Sequence, residues 1–351
     1  MKIGVPGGLL FAQYEGAIRA FFDEVAYRTA AEIFYSGETV QKTVDDGVRV
    51  CVDEVCFPIK VFCGHVAYLA EHCDRIVVFR LLRTEANLAV CPKFFGLPEL
   101  AAAAAAGKRM IFTEPLFLND RKRTWKSVRR GGMAAGIPET VLRAAFARAW
   151  DILRQKSYGN GEFDPGKRNS ANRLNMPRIL VLGHPYHVYD SFVNRNLFQK
   201  LNALKTIAIP GDLVADGSCS LDWANWIKKP YWEFLKKNVQ AAKRIGDMNA
   251  RVKQNVFDGI IYLSSFGCGT DAFTVEFVRE ALPGLPFLLI KLDEQTGEAG
   301  LDTRLEAFCE LLERRVHCES YISAVRDGAC IRKNFVSGTG CRADHSADEF
   351  I

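Results

Sequence analysis

Short apolar segments alternate with helix-like segments along most of the chain, and this alternation constrains its fold more than any other feature. The predicted strands are residues 2–5, 32–35, 74–79, 109–112, 178–183, 206–209, 258–263 and 286–291. Strands separated by helices at this spacing cannot pair as hairpins, so they predict parallel sheets of the wound α/β class.

The intervals between these strands carry helical patterns, and one of them divides the chain. Helices are predicted at residues 14–26, 40–48, 58–72, 101–106, 138–156, 194–202, 231–253, 272–281 and 303–314. Residues 158–177 are rich in Gly, Asn and Pro, which predicts a boundary between lobes at 1–157 and 178–315. The pattern fades after Arg315, so residues 316–351 are expected to form a poorly ordered tail.

Composition limits the classes of function. The 351 residues are 48% hydrophobic and 25% charged, with a net charge of +5. No apolar run reaches the roughly 18 residues of a membrane span, and the N-terminus lacks a signal-peptide pattern, so we expect a cytoplasmic protein. Zinc-finger spacing and aromatic-basic RNA motifs are missing, which argues against nucleic acid. The basic cluster between Arg121 and Arg130 is read as a solvated loop, with a patch for an anionic partner as the alternative.

The segment Ser265-Phe266-Gly267-Cys268-Gly269-Thr270-Asp271 joins a predicted strand to a predicted helix. The flanking Gly267 and Gly269 let the backbone approach a bound group closely. Free N–H groups at a helix start favour anions and lower the pKa of a thiol. The turn therefore indicates a sulfur presented to a bound group.

Two further cysteines share this setting, because Cys56 and Cys91 also fall just ahead of predicted helices. Ligands of wound α/β sheets bind at the carboxyl ends of the strands. Cys56, Cys91 and Cys268 could therefore hold a [4Fe–4S] cluster and leave one iron free, although buried cysteines also serve simply in packing. The chain has eleven cysteines, and we interpret five others as structural: Cys51, Cys63, Cys73, Cys219 and Cys309. Among these five, Cys51 is a possible fourth ligand of the cluster.

Two phosphate-binding patterns compete with the metal interpretation. Residues 161–168 nearly match a P-loop, but Arg168 replaces the Ser or Thr that binds magnesium and no strand precedes them. Residues 267–272 fit the G-x-G-x-x-A form of the dinucleotide turn, with Asp293 near the position of a ribose-binding acid. A nicotinamide-dependent oxidoreductase therefore stays open.

Polar side chains also follow the strand at 178–183. His184, Tyr186, His187, Tyr189 and Asp190 lie directly after it, where they could bind substrate or transfer a proton. A hydrogen-bonded turn is the competing interpretation. We interpret His65 as a packed helix residue.

Six motifs occur in order along the chain: Glu54-x-Cys56-Phe57-Pro58-x-Lys60, Gly64-His65-Val66, Cys91-Pro92-Lys93, Pro185-Tyr186, Ser265-Phe266-Gly267-Cys268-Gly269-x-Asp271, and the run from Asp293-Glu294-Gln295-Thr296 to Phe308. With these motifs the chain resembles the DUF2229 proteins between about residues 1 and 310. These proteins are acyl-CoA dehydratase activase-related and are relatives of 2-hydroxyacyl-CoA dehydratase subunits and double-cubane cluster proteins. Gly7-Gly8 departs from the family's usual Pro-Arg.

The resemblance implies Rossmann-like lobes with an iron–sulfur cluster between them, in the cytoplasm of an anaerobe. It implies cluster ligation by Cys56, Cys91 and Cys268. It also implies low-potential electrons from an ATP-hydrolysing activator, here supplied in trans. A double cubane would need more than three ligands, or two chains meeting in a homodimer or heterodimer.

Three functions follow as hypotheses. The first is a reductive step or radical dehydration of a small substrate at an open iron, with Glu54, His187 and Asp271 as candidate proton-transferring or orienting groups. The second is a non-catalytic electron carrier with a saturated cluster. The third is the nicotinamide enzyme built on the turn between Gly267 and Ala272.

Overall fold

The structure is a computed structural model that describes residues 1–84, 88–105, 107–155, 176–214, 231–252 and 255–326, the last ten by backbone alone. The P-loop-like residues 161–168 and Cys219 lie outside these ranges, as does most of the proposed boundary at 158–177. Within these ranges, no helix combines the length and apolarity needed to traverse a bilayer.

The N-terminal lobe is built on a four-stranded parallel sheet with the order β2-β1-β3-β5. Its strands are β1 Lys2–Val5, β2 Glu32–Tyr35, β3 Arg75–Val77 and β5 Arg109–Ile111. Its connecting helices are α1 Leu10–Arg28, α2 Gln41–Val50, α3 Phe57–His72, α4 Pro92–Phe95 and α5 Leu97–Ala104. The predicted parallel α/β class is confirmed.

A small parallel pair beside this sheet was not predicted. It consists of β4 Arg80–Arg83 and β6 Pro115–Phe117. The prediction of a basic loop is wrong, because its residues form helix α6, Arg121–Ala134. Asp120 caps that helix by accepting a 3.0 Å hydrogen bond from the Arg123 backbone N–H. Helix α7, Glu139–Gln155, then packs on α1 and α6.

The C-terminal lobe repeats the plan with the strand order β10-β9-β7-β8. Its strands are β7 Arg178–Gly183, β8 Ile207–Pro210, β9 Gly259–Ser265 and β10 Phe287–Leu292. Its helices are α8 Pro185–Val188, α9 Leu197–Ala203, α10 Glu233–Val252, α11 Gly269–Ala281 and α12 Glu298–Arg326. Every residue of β9 is buried, as expected of a central parallel strand covered on both faces.

The last helix is longer than predicted. It runs to Arg326, so residues 316–326 belong to a helix rather than to the expected tail, and residues 327–351 lie outside the described residues.

Helix α3 lies between the two lobes and fixes the position of Cys56 at its start. Phe57 and Val61 of this helix belong to the apolar core of the C-terminal lobe. The buried Lys60 ammonium forms an ion pair with Glu294 Oε1 at 2.6 Å. Helix α2 also crosses α3 so closely that a Cβ on Gly64 would lie 1.8 Å from the Thr43 carbonyl oxygen. Contacts with α2 and with the C-terminal lobe therefore both fix α3.

Candidate metal centre

Cys56, Cys91 and Cys268 each occupy the N-cap of a helix, at the starts of α3, α4 and α11. Proline follows within two residues at Cys56 and Cys91, where its missing N–H costs nothing. None of the three side chains caps its own helix, and all three are half-buried. The prediction that all three cysteines precede helices is confirmed, and their sulfurs are free to bind something else.

The three sulfurs lie close enough to influence one another. Burial raises the pKa of the Cys56 and Cys91 thiols, and the charge of Cys268 raises both further. Lys93 lowers the pKa of both thiols, but burial outweighs it. The helix starts therefore do not leave these two thiols ionised, and a metal would have to displace their protons.

Tyr186 lies within electrostatic range of all three cysteines. Burial raises the pKa of its phenol, and the charges of Cys268, Cys56 and Cys91 all raise it further. Its ring stacks on His184 at 5.0 Å between centroids and contacts Phe94 of α4 at 6.2 Å. Tyr186 therefore joins the cysteine-bearing helix α4 to the end of β7 and shields the thiols on that side.

Behind Cys268 lies a buried chain of hydrogen bonds. Asp271 Oδ1 accepts from the Tyr262 hydroxyl at 2.9 Å and lies 2.9 Å from His184 Nε2. Since Asp271 is an acceptor, His184 Nε2 carries a hydrogen. The same nitrogen is 3.9 Å from Cys268 Sγ, and Thr270 Oγ1 is 3.2 Å from that sulfur.

The charge states in this chain follow from direct contact. Burial alone would lower the pKa of His184, but Asp271 and then Cys268 raise it well above its ordinary value. Burial alone would raise the pKa of Asp271, but His184 lowers it to about 2. The two side chains therefore form a buried ion pair beside the Cys268 sulfur.

His187 is placed differently from His184. Its Nε2 is hydrogen-bonded to Ser265 Oγ, at the end of β9. Burial and the nearby His184 charge lower its pKa to about 3, so it is a neutral imidazole. Among the described residues, His184 Nδ1, His187 Nδ1 and Asp271 Oδ2 have no hydrogen-bond partner although they are buried.

Glu54 and the glycine turn face each other across the lobes. Gly267 has φ +75°, which a side chain would strain, and a Cβ there would lie 3.8 Å from the Glu54 carbonyl oxygen. Glu54 is exposed, and a Cβ on Gly269 would meet nothing within 4 Å. The loop before Cys56 and the turn before α11 thus meet at an open surface.

The structure weakens the dinucleotide interpretation. Asp293 Oδ1 accepts hydrogen bonds from the Gln295 N–H at 3.0 Å and from Thr296 Oγ1 at 2.7 Å. The carboxylate that would bind a ribose is therefore engaged by its own turn.

The remaining described cysteines lie in packed surroundings. Cys63, Cys73 and Cys309 are buried, and Cys51 is half-buried, with its pKa lowered by the neighbouring Cys63. Cys51 therefore lies beside Cys63, and its role as a structural residue stays a prediction.

Two residues of the predicted polar cluster after β7 lie elsewhere. Tyr189 donates its hydroxyl hydrogen to Asp212, and Asp190 Oδ2 accepts from Thr39 Oγ1 at 2.6 Å. Sequence reasoning missed Tyr262 as part of the site. The signal for Tyr262 was a hydroxyl between two apolar residues of β9, Ile261 and Leu263.

Two family models match this chain, and each covers part of the candidate metal centre. Residues 2–214, with Cys56 and Cys91, match the family model described as CoA enzyme activase uncharacterised domain, DUF2229. Residues 155–312, with Cys268, match that of the 2-hydroxyglutaryl-CoA dehydratase D-component. No curated protein matches the chain. A solved Mn-bound periplasmic metal binding protein from Candidatus Liberibacter asiaticus, a point mutant, aligns over 91% of this chain and 99% of its own at 8% identity, and its TM-score of 0.27 carries no argument.

Proposed function

The chain belongs to the DUF2229 family, and we propose that it holds an iron–sulfur cluster on Cys56, Cys91 and Cys268. In this role it receives low-potential electrons from an ATP-hydrolysing activator and uses them in a reductive or radical dehydration step on a small substrate. The observation that carries the proposal is that three N-cap cysteines from three separate helices lie near one buried phenol, that of Tyr186.

The donor set fits such a group. Cysteine thiolates are the ligands of iron–sulfur clusters, and three of them leave one iron for an outside oxygen. Cys51 lies beside the buried Cys63, and we therefore favour an open iron over a cluster saturated by Cys51.

The surrounding residues would control water and protons. Tyr186, His184 and Phe234 pack ring against ring and exclude water from the inner side of the sulfurs. His184 Nε2 lies 3.9 Å from Cys268 Sγ, and Asp271 holds that imidazole in orientation. His187 is neutral and bonded to Ser265, and its pKa of about 3 makes it a weak proton acceptor. Exposed Glu54 would meet the substrate from the solvent side.

Electron delivery would use the face around Cys268. Phe266 and Phe273 are 70% and 63% exposed on either side of this cysteine, which is unusual for large aromatic side chains. A partner that covered these two rings would stand directly over the Cys268 turn.

The catalytic and carrier roles can be separated on the reduced protein. We expect a candidate ligand such as a 2-hydroxyacyl thioester, added without oxygen, to change the electron paramagnetic resonance signal, because an open iron accepts an outside oxygen. A Tyr189→Phe variant serves as the control, since that hydroxyl bonds Asp212 away from the site. An unchanged signal at saturating ligand would replace the catalytic proposal with the accessory carrier.

A further inference from the structure

Three donor atoms of different chemistry meet on the inner side of Cys268. His184 Nε2, Cys268 Sγ and a carboxylate oxygen of Asp271 all lie within 4.8 Å of one another. They come from the end of β7, the N-cap of α11 and its first turn. The juxtaposition therefore depends on the pairing of β7 with β9, which precedes α11.

The spacing of these atoms suits a tetrahedral ion. With metal–ligand distances of about 2.3 Å for sulfur and about 2.0 Å for nitrogen and oxygen, tetrahedral angles place nitrogen about 3.3 Å from oxygen and about 3.5 Å from sulfur. The observed separations are 2.9 Å from His184 Nε2 to Asp271 Oδ1 and 3.9 Å from His184 Nε2 to Cys268 Sγ. These two separations lie within a few tenths of an ångström of the tetrahedral values, and the carboxylate oxygen lies within 4.8 Å of the sulfur.

The hydrogen bonds and burial of Asp271 and His184 are also typical of metal ligands. The Tyr262 hydroxyl donates to the Asp271 oxygen that would bind the ion, which is the outer contact that orients a ligating carboxylate. Asp271 Oδ2 is buried without a partner among the described residues, so this carboxylate has acceptor capacity to spare. His184 and Asp271 are each 2% exposed.

We propose that His184, Cys268 and Asp271 form a site for one divalent cation of the zinc or ferrous class. The ion would replace the hydrogen on His184 Nε2 and the proton of the Cys268 thiol, and its fourth position would stay open to water. Because Cys268 is shared, the single ion and the cluster exclude each other. This exclusion rests on the proposed function, whereas the mononuclear site does not.

The test is a titration of cluster-free, reduced protein with Co²⁺ alone, followed by the thiolate-to-cobalt charge-transfer band. We expect one Co²⁺ per chain in the wild type and in the Cys56→Ala, Cys91→Ala double variant. We expect no such band in Cys268→Ala. Loss of an outer-shell partner costs 10–100-fold in metal affinity, so Tyr262→Phe should bind at least about tenfold more weakly and His184→Ala at least about 100-fold.

Tyr262→Phe keeps the shape of the core and makes the test independent of folding defects in the ligand variants. Binding that disappears in the Cys56→Ala, Cys91→Ala double variant would assign the cobalt to the three thiols and overturn the proposal. Equal affinity in wild type, Tyr262→Phe and folded His184→Ala would also overturn it.

Cluster assembly in the same variants separates the two proposals. The double variant should bind cobalt but assemble no cluster, and wild type loaded with Zn²⁺ should assemble a cluster only after a chelator removes the zinc. A wild type that never assembles a cluster yet binds cobalt would refute the proposed function and leave this site standing.

Discussion

Two buried histidines of this protein are each linked to an aspartate, one directly and the other through a threonine hydroxyl. The two imidazoles differ in charge. His184 contacts the Asp271 carboxylate directly at 2.9 Å, and its pKa is raised well above the ordinary value although burial opposes this. His65 reaches Asp190 only through the Thr39 hydroxyl, at 3.1 Å and 2.6 Å. Burial then dominates and lowers the pKa of His65 to about 4.

The inserted hydroxyl explains the difference. The only hydrogen of the Thr39 hydroxyl goes to Asp190, so His65 Nε2 must donate to the Thr39 oxygen. A neutral imidazole satisfies that arrangement, and the three side chains join the N-terminal lobe to the loop after β7. In contrast, the His184 and Asp271 pair holds a full charge beside a sulfur. Direct contact with a carboxylate favours a charged imidazole, and a hydroxyl spacer leaves the imidazole neutral.

The largest expected effect comes from neutralising the two carboxylates in turn. Asp271→Asn leaves a buried imidazolium without its counter-charge, and breaking a buried ion pair costs about 3–5 kcal/mol. Asp190→Asn can keep its Oδ1 on the Phe192 and Val193 N–H groups and offer its amide N–H to the Thr39 oxygen, so we expect it to cost about 1 kcal/mol. Urea unfolding of the cluster-free variants measures both, and equal losses at the two positions would contradict the comparison.

The next prediction concerns pH. His65 has a folded pKa of about 4 against an ordinary 6.5, so the unfolded chain binds the proton first. Its contribution of about 3 kcal/mol is present above pH 6.5 and is lost as the pH falls toward 4. Burial raises the pKa of Asp190, which opposes this trend because its contribution is present at low pH and is lost as the pH rises.

Comparison with His65→Gln isolates the histidine term, because glutamine keeps a donor for Thr39 but does not titrate. The variant should lose less unfolding free energy than wild type between pH 6.5 and 4. Parallel curves for the two proteins would show that His65 is not the group responsible.

The smallest effect separates two tyrosine–aspartate hydrogen bonds. Tyr262 donates to Asp271 in the core, and Tyr189 donates to Asp212 near the surface. Tyr262→Phe should cost about 2 kcal/mol, as for hydrogen bonds to charged groups. Tyr189→Phe should stay within about 0.5 kcal/mol. Thermal unfolding of both variants measures the difference, and a larger loss at Tyr189 would reverse it.

The sequence predicted the strands of the two four-stranded sheets and missed the small pair β4 and β6. β1, β2 and β7 begin and end at the predicted residues, because each contains an apolar run that satisfies local propensity. β4 begins and ends with arginine, so its pattern gave no signal. Helix α6 buries small or polar residues, including Thr124, Gly131 and Gly132, and its charges therefore resembled a loop.

The site was predictable only where it is local. Cys56, Cys91 and Cys268 could be placed at helix starts from their neighbours in sequence. The contact of His184 with Asp271 joins residues 87 positions apart. It requires β7 to pair with β9, and no local pattern encodes that pairing.

The central claim is that three cysteines hold a cluster, and iron with acid-labile sulfide per chain tests it most directly. We predict about four of each in anaerobically reconstituted wild type, with an absorption band that dithionite bleaches. Cys56→Ala, Cys91→Ala and Cys268→Ala should each lose that iron, whereas Cys309→Ala, which removes a buried packing thiol, should keep it. Wild type that takes up no iron, or equal iron in all four variants, would contradict the account.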